Sequence, residues 1–159
     1  MQAEFRQLNQ KQEYMGAWPL VHAQNQGLSE SEYWRLLAEM MFAGHLMAGL
    51  YLQERLIGVV GVCKGANWLY GEHLWLHLMI LDKDYQAQGH EATMLDFVIE
   101  WAEAQACTRI YTTLDIDSFI RTASGRLQQK SKGFVAANRL LQLDLAPDMP
   151  AAILTNCIE

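Results

Sequence analysis

Apolar positions change their spacing along the chain, and each change predicts an element. Between residues 29 and 41 they recur at three- and four-residue intervals, at Tyr33, Leu36, Leu37 and Met40, which predicts a helix. Ser29 and Glu32 stand at capping-box spacing before it, and Gly44 ends the pattern. Residues 11–26 also read as helix, interrupted at Pro19, which has no N–H to continue the ladder. Residues 4–8 suit a short strand. Residues 46–52 and 56–63 read as two strands joined by a polar turn at Glu54 and Arg55, and Gly65-Ala66-Asn67 marks a further turn. Residues 74–81 carry large apolar side chains at both parities, as expected of a central strand covered on both sides.

The pattern then returns to helix. Residues 82–89 are polar and loop-like, and residues 91–105 place Leu95, Val98, Ile99 and Ala102 on one broad face. Residues 109–114 form a strand rich in β-branched and aromatic residues. Residues 119–132 read as a helix ending before Gly133. Residues 134–145 are extended, with Leu141, Leu143 and Leu145 alternating. This order predicts an α/β (α+β) fold, with a central mixed sheet and helices on both faces. The strand–helix–strand unit should make 74–81 and 109–114 a right-handed parallel pair. One domain spans residues 1–146, and a tail from Pro147, residues 147–159, follows it.

Composition narrows the function. Of the 159 residues, 51% are hydrophobic and 19% charged, enough apolar surface to bury a core rather than stay disordered. No apolar run approaches the roughly 18 residues that cross a bilayer, and the N-terminus shows no secretion signal. The expectation is therefore a cytoplasmic protein without a membrane partner. A net charge of −6 argues against nucleic acid as partner. The modest basic cluster of Arg121, Arg126, Lys130 and Lys132 reads as a solvated helix face. Cys63, Cys107 and Cys157 are odd in number and far apart, without ligand spacing, so no metal is expected.

One segment sharpens the fold. After Leu81 the chain reads Asp82-Lys83-Asp84-Tyr85-Gln86-Ala87-Gln88-Gly89-His90-Glu91-Ala92. A turn opening a helix presents unpaired N–H groups and the positive end of the helix dipole, an anion site needing no basic side chain. Leu81, Tyr85, Gln86 and Gly89, with the Gly133-Phe134 pair further on, resemble the pattern of the GNAT superfamily of N-acetyltransferases, as a diverged member. The resemblance covers about residues 4–145. It implies an acyl-CoA cleft between two splayed parallel strands, with acetyl-CoA as co-substrate. Met79, Ile80 and Leu81 would lie along the pantetheine. Gln86, Ala87, Gln88, Gly89, His90, Glu91 and Ala92 would lie at the pyrophosphate. Glu91 departs from the family's small residue and would repel a pyrophosphate if it pointed inward. Many relatives form homodimers.

The chemistry implied is acetyl transfer to a primary amine of a small molecule or a protein. The family's tyrosine that protonates the leaving thiolate is replaced by Gln129 or Gln128, according to register. Tyr85 and Tyr111 are candidates to replace it. Strict alternation along 73–81 would put His73, Trp75, His77, Met79 and Leu81 on one face. His77 and then His73 are the candidate bases, since an imidazole titrates near neutrality, and Glu72 is a third. The bland alternative is a satisfied, partly buried histidine at each position. His22 and His45 have no context in the sequence. The missing tyrosine and Glu91 leave a second reading open: a catalytically silent GNAT-like module that binds a protein partner.

Overall fold

The computed structural model describes residues 2–68 and 71–121. The expectations for the rest of the fourth helix, Gln128 and Gln129, the Gly133-Phe134 pair, the 134–145 strand and the tail lie outside the described residues.

The elements run β1 (Glu4–Gln7), α1 (Lys11–Gln24), α2 (Glu30–Phe42), β2 (His45–Leu52), β3 (Arg55–Asn67), β4 (Gly71–Leu81), a 3-10 turn (Lys83–Tyr85), α3 (His90–Ala104), β5 (Arg109–Thr112) and α4 (Asp117–Arg121). The five strands form one sheet in chain order, β1-β2-β3-β4-β5. The first four are antiparallel neighbours, because short hairpins and the α1–α2 excursion return each strand beside the last. β5 is parallel to β4, as the α3 crossover requires.

Each helix is set by local chemistry. At α2 the expected box forms: Ser29 Oγ accepts from the Glu32 N–H at 3.2 Å, and Glu32 Oε2 accepts from the Ser29 N–H at 3.0 Å. α1 runs through Pro19 instead of breaking there. Packing outweighs the lost ladder bond: Tyr14 and Ala17 are buried, and the Tyr33 hydroxyl donates to the Tyr14 carbonyl at 2.7 Å. The Gly65-Ala66-Asn67 segment is not a turn but the end of β3, paired with residues 71–73 in a long hairpin arm.

Two apolar clusters sandwich the sheet. On one face Leu50, Val60, Val62, Leu74, Leu76, Met79 and Leu81 pack against Met94, Leu95, Val98 and Ile99 of α3. On the other, Met47, Val59 and Ile80 pack against Tyr14, Ala17, Tyr33 and Leu37 of α1 and α2. The clusters expose a correction. Leu74 and Leu76 share their face with Met79 and Leu81, not with Leu78 and Ile80. Opposite β3, Gly61 pairs with Leu78 and Val62 with Leu76, so His77 is an extra residue in β4. This β-bulge shifts the parity of everything after it, and strict alternation fails from His77 onward.

Candidate functional site

The bulge stands where β4 loses its second neighbour. β5 pairs with β4 only from His73 to Leu76. Residues 77–81 therefore keep β3 on one side and have no pairing to β5 on the other. The strand edge so released includes Met79, Ile80 and Leu81, and it leads through the 3-10 turn into the loop that opens α3.

That loop is held by its own side chains. Gln86 Nε2 donates to the Leu81 carbonyl at 3.3 Å, and Gln88 Nε2 donates to the Asp84 carbonyl at 2.9 Å. Gly89 is the N-cap of α3 with φ of 91°. A Cβ there would meet nothing within 4 Å among the described residues, so they leave the space above its backbone open. His90 begins the helix near the Tyr85 ring, with centroids 6.2 Å apart. Ala92 is buried behind it. Glu91 is only 5% exposed. Its Oε1 accepts from the Ala87 N–H at 2.6 Å, which braces the turn, while its Oε2 is buried without a hydrogen-bond partner among the described residues.

His45, His73 and His77 occupy the α1–α2 face of the sheet. His77 is 9% exposed and His73 8%. His45 Nδ1 lies 2.9 Å from His77 Nε2, with the rings nearly edge to face. They meet across β3 because the residue between them is Gly61: a Cβ there would stand 2.6 Å from His77 Cε1. Burial, and then the neighbouring His45, pull the His77 pKa from 6.5 down to about 4, against an opposing hydrogen bond to the Val62 backbone. A bond that favours the imidazolium comes from an acceptor, hence the Val62 carbonyl. Donation to Val62 through its other nitrogen would make His77 Nε2 the acceptor from His45 Nδ1–H, with the roles in the pair following the tautomer. His73 is apart from this pair. Its Nδ1 lies 3.1 Å from the Gly71 carbonyl, and its ring packs edge-on to Tyr111 at 5.4 Å. Glu72 lies on the opposite face, 3.5 Å from Lys64 Nζ. Among the described residues no three His, Cys, Asp or Glu side chains gather as a metal site, and no helix is long and apolar enough to cross a membrane.

The family model for the acetyltransferase (GNAT) family matches residues 8–134. The chain belongs to the GNAT family. Solved GNAT-like structures agree in fold. An acetyltransferase from Trypanosoma brucei is 18% identical, covering 91% of this chain and all of that one with a TM-score of 0.68. The aminoglycoside acetyltransferase AAC(6′)-Iy, bound to a bisubstrate analogue of coenzyme A and acetylneamine, is 14% identical over 91% of this chain and 98% of its own, with a TM-score of 0.68. Glucosamine-6-phosphate N-acetyltransferase from Arabidopsis thaliana is 12% identical over 93% and 100%, with a TM-score of 0.65. No curated protein sequence matches significantly.

GNAT membership implies coenzyme A, and the loop permits a test of fit. A diphosphate needs backbone N–H groups at a helix start with nothing above them. Open Gly89 and the first turn of α3 meet that need. Glu91 points its carboxylate beneath the loop rather than out over it, so it does not fill the space, although its charge opposes an anion. The residues present fit the group, with the Glu91 carboxylate an unfavourable charge beneath the loop. The His45 partnership had no signal in the sequence, because it depends on strand register across β3.

Proposed function

We propose that this GNAT chain is an N-acetyltransferase, moving an acetyl group from acetyl-CoA to a primary amine. The observation that carries the reading is the β4 edge over residues 77–81, unpaired by β5 and by any other described strand, running end to end with the N-terminus of α3. Met79, Ile80 and Leu81 would hydrogen-bond the pantetheine through their backbone. Gln86, Ala87, Gln88, Gly89, His90, Glu91 and Ala92 would surround the pyrophosphate. Bound there, acetyl-CoA supplies an activated acyl carbon: the amine's C–N bond forms as the C–S bond breaks, and the departing sulfur takes its electron pair and ends with the proton the amine gives up.

The chain's own part is to hold the amine and to take up its proton. His45 Nε2 is the receiving atom in this reading, and His77 is the acceptor that orients His45 and stabilises its cation. His77 thus serves as the positioning member of the pair, since its burial disfavours charge on its own ring. His73 belongs to the acceptor side, against Tyr111. The cytoplasm is the compartment in which this activity would operate.

Glu91 favours a second reading. A buried carboxylate with an unpartnered oxygen under the anion loop suits a silent module that binds a protein partner and no nucleotide. Calorimetric titration with acetyl-CoA separates the two. Micromolar binding, lost in Gly89→Glu, followed by thiol release with an amine panel, supports the enzyme. No heat at millimolar ligand selects the silent module.

A further inference from the structure

The α1–α2 face carries a row of side chains that belong to neither apolar cluster of the described residues. His45 pairs with Cys63, Cys63 with Trp75, and Trp75 with Tyr111, so the four point to the same side across β2, β3, β4 and β5. Residues directly opposite on neighbouring strands share a face. Cys63 is buried, while His45, Trp75 and Tyr111 are partly exposed. The Trp75 and Tyr111 rings are near parallel, at 30° with centroids 6.3 Å apart, and His73 stands edge-on to Tyr111. The row lies beside the bulge at His77, at the mouth of the gap between β4 and β5.

Its charge is as informative as its shape. Strands β2 to β5 contribute no carboxylate to this face. Their one cation there is Arg109, whose guanidinium donates to the Tyr111 hydroxyl at 3.3 Å. Glu72 and Lys64 are on the other side of the sheet, as their pairing with Ala66 and Leu74 requires. A polycation would meet Arg109 and two imidazoles with no acidic partner from these strands. A flat ring would meet aromatic faces and edges, which favour stacked and edge-on contacts.

We propose that His45, Cys63, Trp75 and Tyr111 form the floor of an acceptor subsite for an aromatic monoamine. This rests on the acetyltransferase reading for its chemistry but not for its recognition. The ring lies on Trp75 and Tyr111, and the amino group reaches toward His45. Recognition comes from stacking area rather than ion pairing, so binding is insensitive to salt.

Tryptamine and spermidine are the probes, titrated calorimetrically into the full chain without acetyl-CoA. The expected result is tryptamine binding that spermidine does not match, weakened about tenfold by Trp75→Leu and largely restored by Trp75→Phe. Thermal melts of both variants establish that they fold. Spermidine binding tighter than tryptamine, no tryptamine binding, or equal affinity in Trp75→Leu overturns the proposal. Turnover with acetyl-CoA is measured separately. Tryptamine binding without turnover would sink the enzyme reading and leave the subsite standing, and turnover of spermidine alone would do the reverse.

Discussion

Mild acid should weaken the fold through His77 before the carboxylates matter. The imidazole falls from 6.5 to about 4 on folding, chiefly through burial and then through His45. The unfolded chain takes up a proton below 6.5, and the folded chain refuses it until about 4. Stability is therefore complete above the unfolded value and is lost as pH falls through this window. One proton is worth about 1.4 kcal/mol per pH unit, and integrating from about pH 7 to about pH 5 gives about 2 kcal/mol. Glu13, Glu32 and Glu54 are held below their ordinary value of 4.5 by hydrogen bonds, so they titrate beneath the window. The assay is urea unfolding across this range for the natural chain and for His77→Gln, which keeps an acceptor for His45 but does not titrate. The stability gap between the two should shrink by about 2 kcal/mol on acidification. Parallel curves would refute the reasoning, because they would mean that folding does not hold His77 neutral.

Other perturbations test neighbouring claims. Gly61→Ala places a methyl 2.6 Å from His77 Cε1 and 2.9 Å from Leu78 Cβ. It should cost about 1–3 kcal/mol in urea unfolding and abolish the imidazole N–H signal of the pair in NMR spectra. Glu91→Gln keeps an acceptor for the Ala87 N–H and removes a negative charge beside the α3 N-terminus. Acetyl-CoA should bind about fivefold tighter by calorimetry, a gain of about 1 kcal/mol, and weaker binding would show that the charge is not what opposes the diphosphate. Ser29→Ala removes the α2 cap and should lower unfolding stability by about 1 kcal/mol while leaving kcat/KM unchanged.

The order of elements was legible because period and punctuation speak locally. Ser29 with Glu32, and Gly44, each mark a boundary that folding respects, whereas β4 starts at Gly71, three residues before the doubly apolar run at Leu74. The parallel β4–β5 pair followed from chain order and handedness alone. The face assignments did not. An extra residue at His77 leaves no trace in composition, so counting by twos along β4 put Met79 and Leu81 beside the histidines when they belong under α3. His45 was equally opaque, since its partner is 32 positions away and two strands over. Gly65 read as a turn because glycine usually breaks strands. Here it makes room for His73, whose Nε2 would stand 2.9 Å from a Cβ at that position.

The bulge at His77 also divides β4 into two segments of independent phase. Deleting His77 would restore an unbroken ladder and leave the other β4 side chains on their present faces, because Leu76 and Leu78 already stand opposite the consecutive residues Val62 and Gly61; what would go is the contact with His45. Lengthening the hairpin arm by two residues on each strand would disturb neither segment. Length variation among descendants of this chain should thus come in matched even steps on the arm, and loss of the single residue at the bulge should cost the histidine pair without disturbing either apolar cluster.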